Sequence, residues 1–189
     1  MIIERSLMLT VSSAESRPSV WVERFAPLLP AAGEVLDLAC GGGRHARLLA
    51  ALGLRVEAVD RDERALASLR GVAGVSPCQA DLESGGWPYP GRLFAGIVVT
   101  NYLFRPGVEQ LLASLADPGV LICETFMVGN ERFGRPASPQ YLLQSQEMLA
   151  WARRPGWRVV AFEEGLVDSP RPAMVQRLCA VRGALVARL

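Results

Sequence analysis

The chain has 189 residues, with 20 basic and 19 acidic side chains and a formal net charge of +1. That balance gives no broad electrostatic footprint for nucleic acid or an anionic membrane surface, although a local basic groove stays open. The length suffices for one domain that buries about two-thirds of its unfolded surface without disulfide or metal staples.

Every basic residue is arginine and none is lysine, which excludes Schiff-base lysine chemistry and a Walker-type phosphate loop. Cys40, Cys78, Cys123 and Cys179 are widely spaced, form no Cys-x-x-Cys, and share the chain with a single histidine. Reduced thiols are therefore expected, with no metal site.

Met1 to Thr10 carries Glu4 and Arg5 and has too short an apolar run for a signal peptide. No stretch approaches the roughly 20 apolar residues of a membrane span, so a cytoplasmic protein is expected. Residues 1–17 read as flexible. Pro18 then precedes a helix over Ser19 to Leu29, with Trp21, Val22 and Phe25 at helical spacing, placed to cover a site.

Val35 to Leu38 is an apolar strand carrying Asp37, and Ala39-Cys40-Gly41-Gly42-Gly43 is a turn that opens a helix at Arg44. Glycines let the backbone turn sharply and approach a ligand, and the helix start presents free N–H groups to an anionic group. A second apolar run, Leu54 to Val59, ends in Asp60. A carboxylate there can accept from both hydroxyls of a ribose, because an ionised acid only accepts and can take two donors at once.

Gly41-x-Gly43-x-x-Ala46 also matches the dinucleotide fingerprint. Asp37 argues against it, since an acid beside the turn suits a cationic ligand better than a second phosphate. The chain also lacks room for the second domain that most dehydrogenases need.

Asp62 caps a helix running to about Arg70, and Val75 to Ala80 reads as a third strand. Ile97 to Tyr102 is a fourth. Pro106 opens a helix with Val108, Leu111, Leu112 and Leu115 on one face, stopped by Asp117-Pro118-Gly119. Val120 to Phe126 is the fifth strand, followed by a Gly-, Arg- and Asn-containing loop, Met127 to Pro136. Ser138-Pro139 predicts the start of a helix through Ala152. Trp157 to Phe162 and Met174 to Arg182 are β-rich with no helical pattern between them, which predicts an antiparallel hairpin at the sheet edge. The expectation is an α/β domain over 1–189: three layers, doubly wound, seven strands, six parallel and one reversed.

Val35 to Gly43 resembles the first motif of class I S-adenosylmethionine (SAM)-dependent methyltransferases, with Ala39 in place of the customary first glycine. Asp60, Ala80-Asp81-Leu82, the fourth strand and Glu124-Thr125-Phe126 extend the resemblance, which is greatest to small bacterial methyltransferases of the tellurite-resistance type. The resemblance implies SAM as cofactor and S-adenosylhomocysteine (SAH) as product. It implies a cofactor site of Asp37, Ala39, Gly41, Gly43, His45, Asp60, Arg61, Asp81, Leu82 and Asn101, with Asp81 on the adenine amino group.

Glu124 and Tyr102 are the catalytic candidates, and Trp21, Tyr102, Phe126 and Arg132 the candidates for a small-molecule acceptor site. His45 is placed to hydrogen-bond beside the cofactor. The expected state is monomer or homodimer. Two other readings stay open: an RNA or DNA methyltransferase, which the neutral charge and the lack of an appended binding domain disfavour, and a non-catalytic SAM-binding module.

Overall fold

Strands buried beneath helices on both sides must be apolar on both faces, and edge strands need not be. In the computed structural model, which describes residues 17–185, β1 (Glu34–Leu38), β2 (Arg55–Asp60), β4 (Phe94–Thr100), β5 (Leu115–Phe126) and β7 (Ala173–Arg182) are largely buried. β3 (Val75–Gln79) and β6 (Trp157–Val167) carry the exposed positions. The order β3-β2-β1-β4-β5-β7-β6 puts those two at the edges. β3, β2, β1, β4 and β5 are parallel, and β7 runs antiparallel to both β5 and β6. Six strands thus share one direction and one is reversed, as the sequence predicts.

Two apolar layers sandwich the sheet. On one face Val35, Val56, Ala58, Val98 and Ile122 meet α1 (Val20–Phe25), α2 (Arg44–Ala51) and α3 (Glu63–Ala67). On the other, Leu36, Leu38, Ile97, Val99 and Cys123 meet α4 (Val108–Ala113) and α5 (Glu147–Ala152). The strand order reverses between β1 and β4, and such a switch point leaves a crevice at the carboxyl ends of the strands. The glycine turn after β1 opens into it.

Several helices are shorter than the sequence predicts. The first breaks after Phe25 into a 3-10 turn, Ala26–Leu28, because Pro27 removes a backbone donor. Asp62 does cap α3, accepting from the amides of Arg64 and Ala65. α4 ends at Ala113, and Leu115, predicted on its apolar face, is the first residue of β5. Asp117-Pro118-Gly119 lies inside β5, where the register with β4 shifts between Phe94 and Gly96.

No continuous helix runs from Ser138 to Ala152. A 3-10 turn, Pro139–Tyr141, gives way to an extended bridge at Leu143 that pairs with Met127. α5 starts only after Gln146, which has φ +60° and whose N–H is held at 2.8 Å by Glu164 on β6. β6 continues to Val167, past the predicted Phe162, so the hairpin connection is shorter than Glu163 to Pro172.

Cys40, Cys123 and Cys179 are buried free thiols, and Cys78 is half-buried. Among the described residues no helix is long and apolar enough to cross a membrane. The expectation of a flexible 1–17 segment falls, except for Arg17, outside the described residues.

His45 ties three elements together. Its Nε2 accepts the Ser19 N–H at 3.0 Å, and its Nδ1 lies 3.3 Å from Thr100 Oγ1 at the end of β4. Accepting at Nε2 puts the ring proton of the neutral imidazole on Nδ1, which donates to Thr100. Burial, followed by the Arg44 charge, pushes its pKa down to about 3. Both nitrogens are engaged inside the fold, so His45 positions α1 over the sheet.

We expect His45→Ala to cost about 1–3 kcal/mol, the typical loss when buried partners are left unsatisfied. The folded pKa lies below the ordinary His value of about 6.5, so the unfolded state binds the extra proton. The His45 contribution is therefore lost as pH falls from about 6.5 toward 3. Urea denaturation of both proteins should show their stability gap closing over that range, and a gap independent of pH would contradict the assignment.

Candidate functional site

The turn after β1 is built around Asp60. Its Oδ2 accepts the Gly41 N–H at 2.8 Å and its Oδ1 the Asp62 N–H at 2.9 Å. A carboxylate has about four acceptor positions, so one remains on each oxygen, the number that two ribose hydroxyls require. The backbone winds through left-handed conformations at Ala39 (φ +53°), Gly41 (φ +54°) and Gly43 (φ +75°).

The glycines differ in what surrounds them. A Cβ on Gly41 would meet nothing within 4 Å, whereas one on Gly43 would stand 2.3 Å from Leu69 Cδ2. Gly41 leaves space for a ligand. Gly43, which the sequence marks as another close-approach position, gives up its side chain to the packing of Leu69.

Asp37 lies beneath the turn, 1% exposed. The Ala46 amide bonds it, yet its Oδ2 has no partner. Burial, opposed by the Ala46 amide and Arg44 and reinforced by Asp60, pushes its pKa up to about 7. Tyr102 Oη is the other buried side-chain polar atom without a partner among the described residues. Native proteins satisfy nearly all such atoms, so two at one strand switch point argue for a polar ligand there. A cationic, hydroxyl-bearing ligand complements the unpaired acid and the open positions on Asp60.

Asp81 organises its own exposed turn. Oδ1 accepts the amides of Glu83 and Ser84, and Oδ2 accepts the Ser84 hydroxyl at 2.7 Å. The Ser84 bond is the main reason its pKa lies below the usual carboxylate range. One acceptor position on Oδ2 remains, enough for a single amino proton. Leu82 beside it walls a cavity of about 30 Å³ together with Leu38, Trp87, Tyr102 and Leu103. Arg61 is exposed nearby. An open groove of about 740 Å³ between Arg105 and Arg153 contains none of these residues.

β4 ends at Thr100, earlier than predicted. Asn101 is exposed, takes φ +56° and donates its N–H to Glu124 O at 2.8 Å. That turn delivers Tyr102 to the α4/α5 face, where it packs beside Leu82 and Leu103. Glu124 follows Ile122 on the opposite, α1 face, its Oε2 bound by Arg177 Nε at 2.5 Å.

The two catalytic candidates are not brought together. Instead Thr100, Glu124, Arg177 and Glu163 stand in register across β4, β5, β7 and β6, and Arg177 reaches Glu163 at 3.4 Å. Arg177 and Thr100 carry no local signal in the sequence, since their roles depend on strand register.

Two acceptor-site candidates belong to the core. Trp21 is 2% exposed, donates its indole N–H to Leu178 O and packs edge-on to Phe25. Phe126 is buried with Leu142, Ala173 and Val175. Side chains so enclosed cannot line an open pocket. Arg132 is exposed on the 3-10 turn Asn130–Arg132. Buried Asn130 secures this loop, bonding Pro136 O at 2.9 Å and accepting from Met174 N at 3.2 Å.

Residues 35–117, from β1 into β5, match the family model described as a methyltransferase domain. Over those residues the chain is similar to a methyltransferase domain. Its fold is similar to that of TehB from Haemophilus influenzae, at 17% identity and TM-score 0.69, over 87% of this chain and 61% of TehB. It is similar also to a SAM-dependent methyltransferase from Mesorhizobium loti, at 18% identity and TM-score 0.65 over 85% and 96% of the two chains. A third likeness is to the glycopeptide N-methyltransferase MtfA in complex with SAH, at 17% identity and TM-score 0.60 over 96% and 99%. The chain thus spans about three-fifths of the length of TehB, and no curated protein matches its sequence.

The glycine environments separate binding from stability. Gly41→Ala should cost about 1–2 kcal/mol, the strain of a left-handed alanine, and weaken cofactor binding. Gly43→Ala should lose about 1–3 kcal/mol more through overpacking against Leu69. Denaturation and calorimetry on both variants check this, and equal stability losses would contradict it.

A cationic ligand paired by Asp37 would bind with an affinity that depends on pH. A carboxyl with pKa near 7 holds a proton in the free protein below that value and must release it to pair with a cation. SAM affinity should fall up to about tenfold per unit as pH drops below 7 and level off above it. Calorimetry in buffers of different ionisation enthalpy reads the released proton directly. Flat affinity between pH 5.5 and 8 would refute the linkage.

Proposed function

We propose that the chain, acting as a single domain, transfers a methyl group from SAM to a small-molecule acceptor and leaves SAH. The observation that carries this reading is the unpartnered Asp37 oxygen beneath an open glycine turn, beside an Asp60 with two free acceptor positions. SAM supplies an electrophilic methyl group on a sulfonium, whose positive charge disappears on transfer.

The chain's part is to bind, align and exclude water. Asp37 balances positive charge, Asp60 holds the ribose, and Asp81 with Leu82 receives the base. Gly41 leaves the backbone clear, Ala39 shapes the turn, and Asn101 and Arg61 stand at the rim. His45 supports these residues from inside the fold.

The acceptor enters beside the carboxyl ends of β4 and β5, under the loop Met127 to Pro136. Arg132 projects into solvent there. Glu124, held by Arg177 through Oε2, keeps Oε1 to accept a hydrogen bond from the acceptor's nucleophile. A near-neutral chain offers a polynucleotide little electrostatic attraction, which supports a small acceptor.

Asp60→Ala tests the cofactor half. Removing a charged acceptor from two hydroxyls should cost about 1–3 kcal/mol of SAM and SAH binding. Calorimetry showing unchanged affinity in the folded variant would sink the assignment. For the acceptor half, the protein is incubated with methyl-labelled SAM and a size-fractionated cell extract. Label is expected in the small-molecule fraction, and label confined to RNA or DNA would overturn the small-acceptor reading.

A further inference from the structure

Three segments that lie apart in sequence meet at the carboxyl end of β5. Met127 donates its N–H to Met174 O on the β7 side, and Leu143 bridges it on the other. Buried Asn130 bonds Pro136 O and Met174 N, which ties the loop after β5 to itself and to the start of β7. Arg105 holds the next stretch through Gln140 O at 2.8 Å and Leu142 O at 2.7 Å. The β6–β7 turn joins them, because Leu166 pairs with Met174. The rim over the acceptor entrance is thus fixed by the fold.

Its charges are not. Arg132 and Arg135 on the loop and Arg171 in the β6–β7 turn are exposed, and none has an ion-pair or hydrogen-bond partner among the described residues. The carboxylates around them are mostly engaged elsewhere. Glu131 accepts the Gly129 N–H, Glu163 pairs with Arg24 and Arg177, and Glu164 holds Ser145 and Gln146. On the loop and the hairpin end, Asp168 alone is left to face three guanidinium groups. The same rim exposes large apolar side chains: Phe133 and Tyr141 at 41% each and Leu166 at 54%. One exposed apolar residue is ordinary. Three beside unpaired cations on a fixed rim suit a ligand that has both characters.

We infer that the methyl acceptor is an amphipathic anion, an aromatic or acyl body that carries a carboxylate or a phosphate monoester. This rests on the small-acceptor reading of the same site and narrows it. Arginine takes either head group through paired N–H donors. Phe133, Tyr141 and Leu166 receive the body. Holding both parts at the rim orients the molecule with its nucleophile toward the carboxyl ends of β4 and β5, and such positioning is the enzyme's main contribution to an in-line transfer.

The test sorts the small molecules of a cell extract by charge and polarity. After incubation with methyl-labelled SAM, label is expected in products that both an anion exchanger at neutral pH and a reversed-phase column retain. A variant combining Arg132→Gln, Arg135→Gln and Arg171→Gln should label them about tenfold more slowly, the scale of one lost charge-assisted hydrogen bond. Its dissociation constant for SAH, read by calorimetry, should match that of the wild type. Phosphatase treatment of the product separates the two head groups: lost retention on the exchanger assigns a phosphate, and unchanged retention a carboxylate.

Label confined to products that the exchanger does not retain, or to anions that pass the reversed-phase column, would overturn the inference. So would a combined variant that labels at the wild-type rate. A variant whose SAH binding weakens in step with its labelling would overturn it too, since the arginines would then serve the cofactor or the fold. Label in no small molecule at all would overturn the small-acceptor reading itself, a failure distinct from that of the arginines.

Discussion

The bond from Gly41 N–H to the Asp60 carboxylate is the constraint on which the site depends. β1 and β2 are neighbours in the sheet, and the Cys40 N–H bond to Val59 O at 3.0 Å carries their pairing only to the first residues of the turn that leaves β1. Asp60 fixes it from the adjacent strand by accepting Gly41 N–H with one oxygen while the other holds Asp62 N–H at the entrance to α3. Two βα connections are thereby referred to a single side chain. Charge-assisted bonds of this kind are roughly twice as strong as neutral ones. They also leave acceptor capacity on both oxygens, so the group that shapes the turn can still bind a ligand.

The sheet then separates two chemistries by face. Asp37, Thr100 and Glu124 fall on the α1 face of the adjacent strands β1, β4 and β5, close to His45 and the Arg177 row. Leu38, Val99, Tyr102 and Leu82 line the α4/α5 face. Anionic and polar groups on one side and an apolar slot on the other suit an amphiphilic cofactor that crosses the carboxyl edge. The left-handed Asn101 performs the crossing of the protein chain itself. For a non-glycine residue that conformation is uncommon, and the Asn101 N–H bond to Glu124 O stabilises it. Backbone strain of this type persists where surrounding contacts over-determine it, and it clusters at functional sites.

Much of this was legible in the sequence because it depends on local pattern. Apolar runs ending in Asp37 and Asp60, the glycines between them and the strand-rich tail lacking a crossover helix each have a fixed physical meaning over a few residues. What was not legible depends on register. Arg177 sits 53 residues from Glu124 in sequence and meets it only because β7 pairs antiparallel with β5. The predicted helix from Ser138 joined two short segments whose apolar residues happen to keep helical spacing. Gln146, held by Glu164 from the edge strand, interrupts it. Tyr102 leaves the Glu124 face for a similar reason: the left-handed Asn101 reverses the alternation that places a strand-end side chain, and nothing local announces it.

The account stands or falls on where the cofactor lies. The most direct measurement is a crystal structure of the protein with SAH. The expected result has the ribose hydroxyls on the two open acceptor positions of Asp60, the ligand passing Gly41 with no rearrangement of the turn, and the base beside Asp81 and Leu82. SAH bound elsewhere on the fold, or at the turn with Asp60 withdrawn from Gly41 to make room, would contradict it.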